Sequence, residues 1–258
     1  MIALAIGLLA LCAILFPLAP IDPSASVSAA LVAYAFAYAA VSACVLAAGA
    51  SAPDLGRGAA GIVVVGALLL ASLASSTPTA LHAALVLACL LTVGTSAGAA
   101  VGSRIESAGH LLPVAIVTSL ADVVSVLTPG APSDVIADTP AWLSVLAISW
   151  PMPGTSDLPA ILGVGDVVFV ALYFGAARKH HLPLARTALA LTLGLAITAA
   201  VVAATSLAIP ALPFIGGAMV LAHPAARQLP MKDRRPATIG IVVILFALGA
   251  LVLSRRPW

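Results

Sequence analysis

Leu162-Gly163-Val164-Gly165-Asp166-Val167-Val168-Phe169 sets one carboxylate inside an apolar run, 158–177, long enough to cross a bilayer. A charge at that depth is expensive, and an intramembrane ionisable residue is read first as a functional site whose partner has to be found. One other acid interrupts an apolar run in the same way: Asp122, in Ser119-Leu120-Ala121-Asp122-Val123-Val124. Neither run contains a Lys or Arg to neutralise its acid. That is the pattern of an acid–base carboxylate pair, not of a structural ion pair.

The rest of the chain supplies the setting. Of its 258 residues, 62% are hydrophobic and 8% charged, where ordinary soluble domains carry about 25% charge. Long Ala/Leu/Val runs without two-residue alternation point to helices, not a barrel. An all-α polytopic membrane protein follows, with about nine transmembrane helices at 2–18, 26–49, 59–75, 79–101, 111–128, 158–177, 185–208, 210–223 and 238–254. Pro17, Pro20, Pro23, Pro53, Pro78, Pro129, Pro132, Pro151, Pro153, Pro159, Pro183, Pro210, Pro230 and Pro236 fall between or at the ends of these runs. Residues 187–222 are split at Pro210 because an unbroken helix of that length exceeds any bilayer. The first run lacks a basic leader and reads as a spanning helix, not a signal peptide.

The chain is expected to form one membrane domain, 1–258. Scaffold helices occupy 1–110, two aspartate-bearing helices joined by the loop 129–157 occupy 111–177, and C-terminal helices occupy 178–258. With the N-terminus inside, Arg57, Arg104, Arg178, Lys179, Arg186, Arg227, Lys232, Arg234 and Arg235 collect on the cytoplasmic side. Arg255 and Arg256 lie opposite. The loop 129–157, with Asp134, Asp138 and Asp157 and no Lys or Arg, is then outside. Abundant Ala and scarce Lys suit a GC-rich prokaryotic genome, hence a prokaryotic cytoplasmic membrane.

Helical rise places Asp122 about 9 Å and Asp166 about 12 Å from the same surface, on antiparallel neighbours. The two carboxylates are therefore expected to be level and able to face each other. Gly163, three residues before Asp166, is read as sharing its helix face and letting a backbone approach the acid. Gly165 leaves the adjoining face bare. Gly94, Gly98 and Gly102 are read as helix-packing glycines.

Gly163-Val164-Gly165-Asp166 resembles the GxGD motif of the intramembrane aspartyl proteases, the presenilin and signal peptide peptidase family, of which this chain looks like a prokaryotic homologue. Pro210-Ala211-Leu212 is similar to that family's PAL motif. An apolar-embedded Asp, then GxGD, then PAL, in that order, covers about residues 111–223. The resemblance implies a presenilin-like helical bundle, Asp122 and Asp166 as the catalytic pair, and Gly163, Gly165, Pro210, Ala211 and Leu212 bordering the substrate. Where the family has Tyr before the first aspartate, this chain has Ala121. Prepilin peptidases also carry a GxGD, but Val167-Val168-Phe169 lacks the Lys that follows it there.

In such a pair two close carboxylates share one proton. The ionised one acts as general base on a water, and the protonated one polarises the scissile carbonyl and later protonates the leaving nitrogen. No metal or cofactor is expected, and no nucleic-acid partner; the partners are the bilayer and transmembrane-helix substrates. A substrate helix must unwind before attack, and adding it as a strand to an exposed backbone edge is the cheapest way to satisfy it. The loop 129–157 and the Pro210 backbone are candidates for that edge. Thr118, Ser119 and Ser125 either line a water path to Asp122 or bond back to their own helix. Trp142 and Trp150 bracket a short interfacial helix, 141–149, either at the mouth of the site or as ordinary belt anchors. Cys12, Cys44 and Cys89 read as packing residues. His180 and His181 read as part of the basic cluster, His82 as an interface residue, and His110 and His223 as helix-end residues. The alternative from another class is a proton- or cation-coupled transporter or channel built on the same two acids, although no internal repeat supports it.

Overall fold

The computed structural model describes residues 2–18, 22–24, 26–52, 58–73, 79–128, 138–205, 207 and 209–254. Pro20, Pro53, Arg57, Pro78, Pro129, Pro132, Asp134, Arg255 and Arg256, used above for boundaries and orientation, lie outside the described residues. The described chain is mostly helical: α1 (Ile2–Leu15), α2 (Val27–Ser51), α3 (Gly58–Leu73), α4 (Ala80–Gly102), α5 (Leu111–Leu127), α6 (Pro140–Leu146), α7 (Val164–Lys179), α8 (Leu184–Thr205), α9 (Leu212–Ala222) and α10 (Met231–Ser254). Between α6 and α7 stand two short strands, β1 (Ala147–Ser149) and β2 (Ala160–Gly163). Among the described residues, four helices are long and apolar enough to cross a membrane: Val27–Ser51, Leu81–Gly102, Ala108–Leu127 and Leu184–Thr205. The apolar segments Ile2–Leu18, Ala59–Leu73 and Leu212–Ala222 are shorter. The chain divides into two compact units, residues 1–101 with 139–175, and residues 102–138 with 176–258.

The first unit is built around α7. Val167, Val170, Ala171, Leu172, Tyr173 and Phe174 are all buried, and a helix that is apolar and covered all round is a central one. Small residues on its neighbours make this possible. A Cβ added at Gly98 of α4 would stand 2.0 Å from the Val168 carbonyl oxygen, and one at Gly94 would stand 2.8 Å from Val167 Cγ1. From the other side, Gly49 of α2 faces Val170 and Phe174. The glycines read as packing residues do that work at Gly94 and Gly98. α2 itself starts where Ser26 Oγ accepts the Ala29 N–H at 3.1 Å, an ordinary N-cap.

The sheet corrects the expectation of a helix over 158–177. β1 and β2 pair antiparallel, with Ala147 opposite Gly163 and Ile148 opposite Leu162, and the register shifts before Ser149 meets Ala160. Trp150 N–H continues the ladder to the Pro159 carbonyl at 3.1 Å. The loop between the strands turns at Gly154 (φ 82°), whose N–H reaches back to the Phe16 carbonyl at 2.7 Å. Four apolar residues, Ala160-Ile161-Leu162-Gly163, suit strand and helix alike. Pairing with 147–149 decides for strand, and the helix begins only at Val164.

α7 ends in the second unit with a Schellman turn. His181 N–H bonds the Arg178 carbonyl (3.3 Å) and Leu182 N–H the Ala177 carbonyl (2.8 Å), leaving His181 at φ 53°. A β-carbon in that left-handed region costs about 1 kcal/mol. His181→Gly is expected to stabilise the protein by about 0.5–1 kcal/mol, read as a raised thermal midpoint in detergent. The neighbouring His180 is engaged elsewhere, its Nε2 lying 2.9 Å from the Ile105 carbonyl.

In the second unit α9 packs against both α8 and α5, and α10 packs against α5. Leu212, Ile215, Gly216, Met219 and Val220 are the buried positions of α9, and Thr187, Ala190, Leu191, Gly194, Leu195 and Thr198 those of α8. Both sets step by three and four, the stripe of a one-faced helix. The division at Pro210 is real: α8 ends at Thr205 and α9 starts at Leu212. α10, by contrast, begins at Met231 and carries Pro236 inside it, so the chain turns at Pro230 and the expected start at 238 is too late. His110 Nε2 meets Asp233 Oδ2 at 3.1 Å, joining the start of α5 to the start of α10.

His223, at the end of α9, is 1% exposed, and its Nε2 lies 3.0 Å from Thr187 Oγ1 of α8.

Candidate active site

The structure places the sequence-predicted residues in two groups, one in each unit. In the first unit, Asp166 is the third residue of α7, not the ninth of a longer helix, so the depth derived from a helix starting at 158 does not hold. Gly163 closes β2 and stands at the N-cap position of α7, where its N–H donates to Asp166 Oδ2 at 3.2 Å. An acid at the third helical position reaching back to the cap amide is one half of a capping box, and it also meets the positive end of the helix dipole. Gly163 and Asp166 thus touch through this cap and not by sharing a helix face. Among the described residues, a Cβ at Gly163 would meet only Asp166 Oδ2, at 3.7 Å, and one at Gly165 would meet nothing within 4 Å. Gly165 is exposed and Asp166 half-buried. Among the described residues, then, the side of the acid marked by the two glycines is open.

In the second unit, Asp122 lies on α5, and its Oδ2 accepts the Leu212 N–H at 2.9 Å. The Ala211 amide lies near the same carboxylate. Pro210 has no N–H to give, so the turn presents the Leu212 amide to the acid. Helix N-termini bind anions because their first amides have no partner within the helix, and α9 uses Asp122 in that way. Pro210, Ala211 and Leu212 are all buried, so Asp122 and the Pro210 segment form one constellation. α5 itself is thinly covered: Leu111 and Ala115 are its buried residues.

Other expectations resolve locally. Thr118 Oγ1 donates to the Val114 carbonyl at 2.9 Å, the helix-bonding alternative. Trp142 on α6 is 50% exposed, whereas Trp150 is 0% exposed; Trp150 therefore belongs to the core beneath the hairpin and is not an interfacial anchor. The 141–149 run is a helix only to Leu146 and a strand after it. The loop expected to offer an extended edge does contain a strand, β1, already paired with β2.

Sequence reasoning passed over Tyr38 and Ser42 of α2. Both are buried, and neither hydroxyl has a hydrogen-bond partner among the described residues. The signal was available, since two hydroxyls one turn apart in an otherwise apolar run share a helix face. No cluster of three or more His, Cys, Asp or Glu stands together among the described residues. Cys12 and Cys44 are buried and Cys89 partly so.

Compared with known proteins, the chain matches no protein-family model, no curated protein and no solved structure.

Proposed function

We propose that this chain is a multi-pass intramembrane aspartyl protease that resembles the presenilin and signal peptide peptidase family and cuts peptide bonds within or near transmembrane segments. Asp122 and Asp166 are its acid–base pair. Gly163, Gly165, Pro210, Ala211 and Leu212 border the substrate. In this reading about nine helices span a prokaryotic cytoplasmic membrane as a presenilin-like bundle, with the N-terminus inside and the loop 129–157 outside. The observation that carries the reading is the Leu212 N–H on Asp122 Oδ2, 2.9 Å across a sequence separation of 90 residues. An apolar-embedded acid and a Pro-Ala-Leu segment chosen independently from sequence are in direct contact.

The hairpin supports the substrate side of the proposal. β2 runs straight into the cap of Asp166, and its Ala160 is exposed. A substrate segment unwound to an extended form can add to an outer edge of this sheet, satisfying its backbone and bringing a scissile carbonyl toward the acid. One carboxylate takes a proton from water as the other gives one to the carbonyl oxygen, and the roles reverse as the amine leaves.

Reconstituting the purified protein in liposomes with a fluorogenic transmembrane peptide tests the proposal. Cleavage into two fragments is the expected result. An intact peptide together with acid-dependent uptake of protons would replace the protease with a transporter.

A further inference from the structure

Tyr38 is 5% exposed, yet its Oη reaches no hydrogen-bond partner among the described residues. Ser42, one turn further along α2, repeats the pattern. A buried hydroxyl left without a partner costs about 1–3 kcal/mol, and two on one helix face are rarely tolerated unless something outside the chain satisfies them. Three features show where that something sits. α2 packs on β2 and, through Gly49, on α7. The Asp166 carboxylate lies close enough to act electrostatically on the Tyr38 phenol. Among the described residues, nothing stands within 4 Å of where a Gly165 Cβ would lie, beside that carboxylate. The Tyr34 ring, 5.8 Å away between centroids, braces the Tyr38 ring in place.

We propose that Tyr38 Oη holds an ordered water against the Asp166 carboxylate and is the positioning residue of that half of the site. A buried water needs polar partners and room; the phenol and the carboxylate supply the first, and the glycine-marked side of Asp166 the second. Tyr38 donates to the water oxygen, and the water donates to the carboxylate, fixing both the rotamer of Asp166 and the place from which a proton leaves the water. The effect on rate rests on the protease reading, whereas the pairing of Tyr38 with Asp166 stands without it.

Two measurements separate these. Biosynthetic 3-fluorotyrosine labels the three tyrosines, Tyr34, Tyr38 and Tyr173, and the ¹⁹F signal missing from Tyr38→Phe identifies position 38. In Asp166→Asn that signal is expected to move and to lose the pH dependence it shows in the wild type. A signal indifferent to Asp166→Asn overturns the pairing, whether or not the protein cuts anything. In the cleavage assay, Tyr38→Phe is expected to lower kcat about ten- to a hundredfold, the effect of one hydrogen bond to a charged group. KM and the thermal midpoint are expected to hold, because Phe keeps the ring in its packed site. A wild-type kcat in Tyr38→Phe overturns the positioning role. A wild type that cuts no peptide overturns the protease reading and leaves the fluorine result to decide the pairing.

Discussion

Asp122→Asn and Asp166→Asn are each expected to reduce peptide cleavage by about a thousandfold or more, with the double variant no worse than either single one. The magnitude follows from the chemistry: an acid–base group acting in the transition state contributes about 10²–10⁴-fold, and a pair sharing one proton loses both functions when either member goes. Asn is the decisive substitution because it preserves what the carboxylates do structurally. Its side-chain oxygen can still accept the Leu212 N–H at position 122 or the Gly163 N–H at position 166. The fold should therefore survive, and thermal midpoints should shift little, since each bond contributes only about 1 kcal/mol. Activity lost without stability separates catalysis from capping. If Asp166→Asn cuts normally while Asp122→Asn does not, Asp166 is only a helix cap and the pair is abandoned.

The helices that settle the class of this molecule are those in which hydropathy and breakers agree. Val27–Ser51, Ala80–Gly102, Leu111–Leu127 and Leu184–Thr205 fall close to the apolar runs, because a long run has no other way to satisfy its backbone in lipid. The contact between Asp122 and Leu212 was legible too, but through motif order and not through any local preference. What stayed hidden depends on partners far along the chain. Residues 160–163 are strand because 147–149 lies alongside, and a short apolar run carries no periodicity that distinguishes strand from helix. Pro159 before the strand and Gly163 at its end were the available hints. His110 pairing with Asp233 and His223 with Thr187 join residues that no spacing rule relates. The depth estimate for Asp166 failed for the same reason as the helix, since it counted helical rise through a strand.

Glycines give the second large effect, and they distinguish packing from function within one motif class. Gly98→Val is expected to destabilise the protein by about 3 kcal/mol or more, read by thermal or denaturant unfolding in detergent. The obstacle at Gly98 is backbone: its Cβ would lie 2.0 Å from the Val168 carbonyl oxygen and 2.9 Å from the Leu172 amide nitrogen. No rotamer change relieves that contact, so α7 must move away from α4. Val168 follows Asp166 by two residues, so the displacement reaches the acid, and activity should fall together with stability. Gly165→Ala is expected to behave in the opposite way. Its Cβ enters open space, and Ala is the better helix former by about 1 kcal/mol, so stability should hold or rise. In the proposed protease, cleavage should nonetheless fall, because the new methyl group would stand on the side of Asp166 proposed to border the substrate. A Gly98→Val protein as stable as the wild type would contradict the packing of α4 on α7. A Gly165→Ala protein with full activity would show that the open side of Asp166 is not the face that substrate uses.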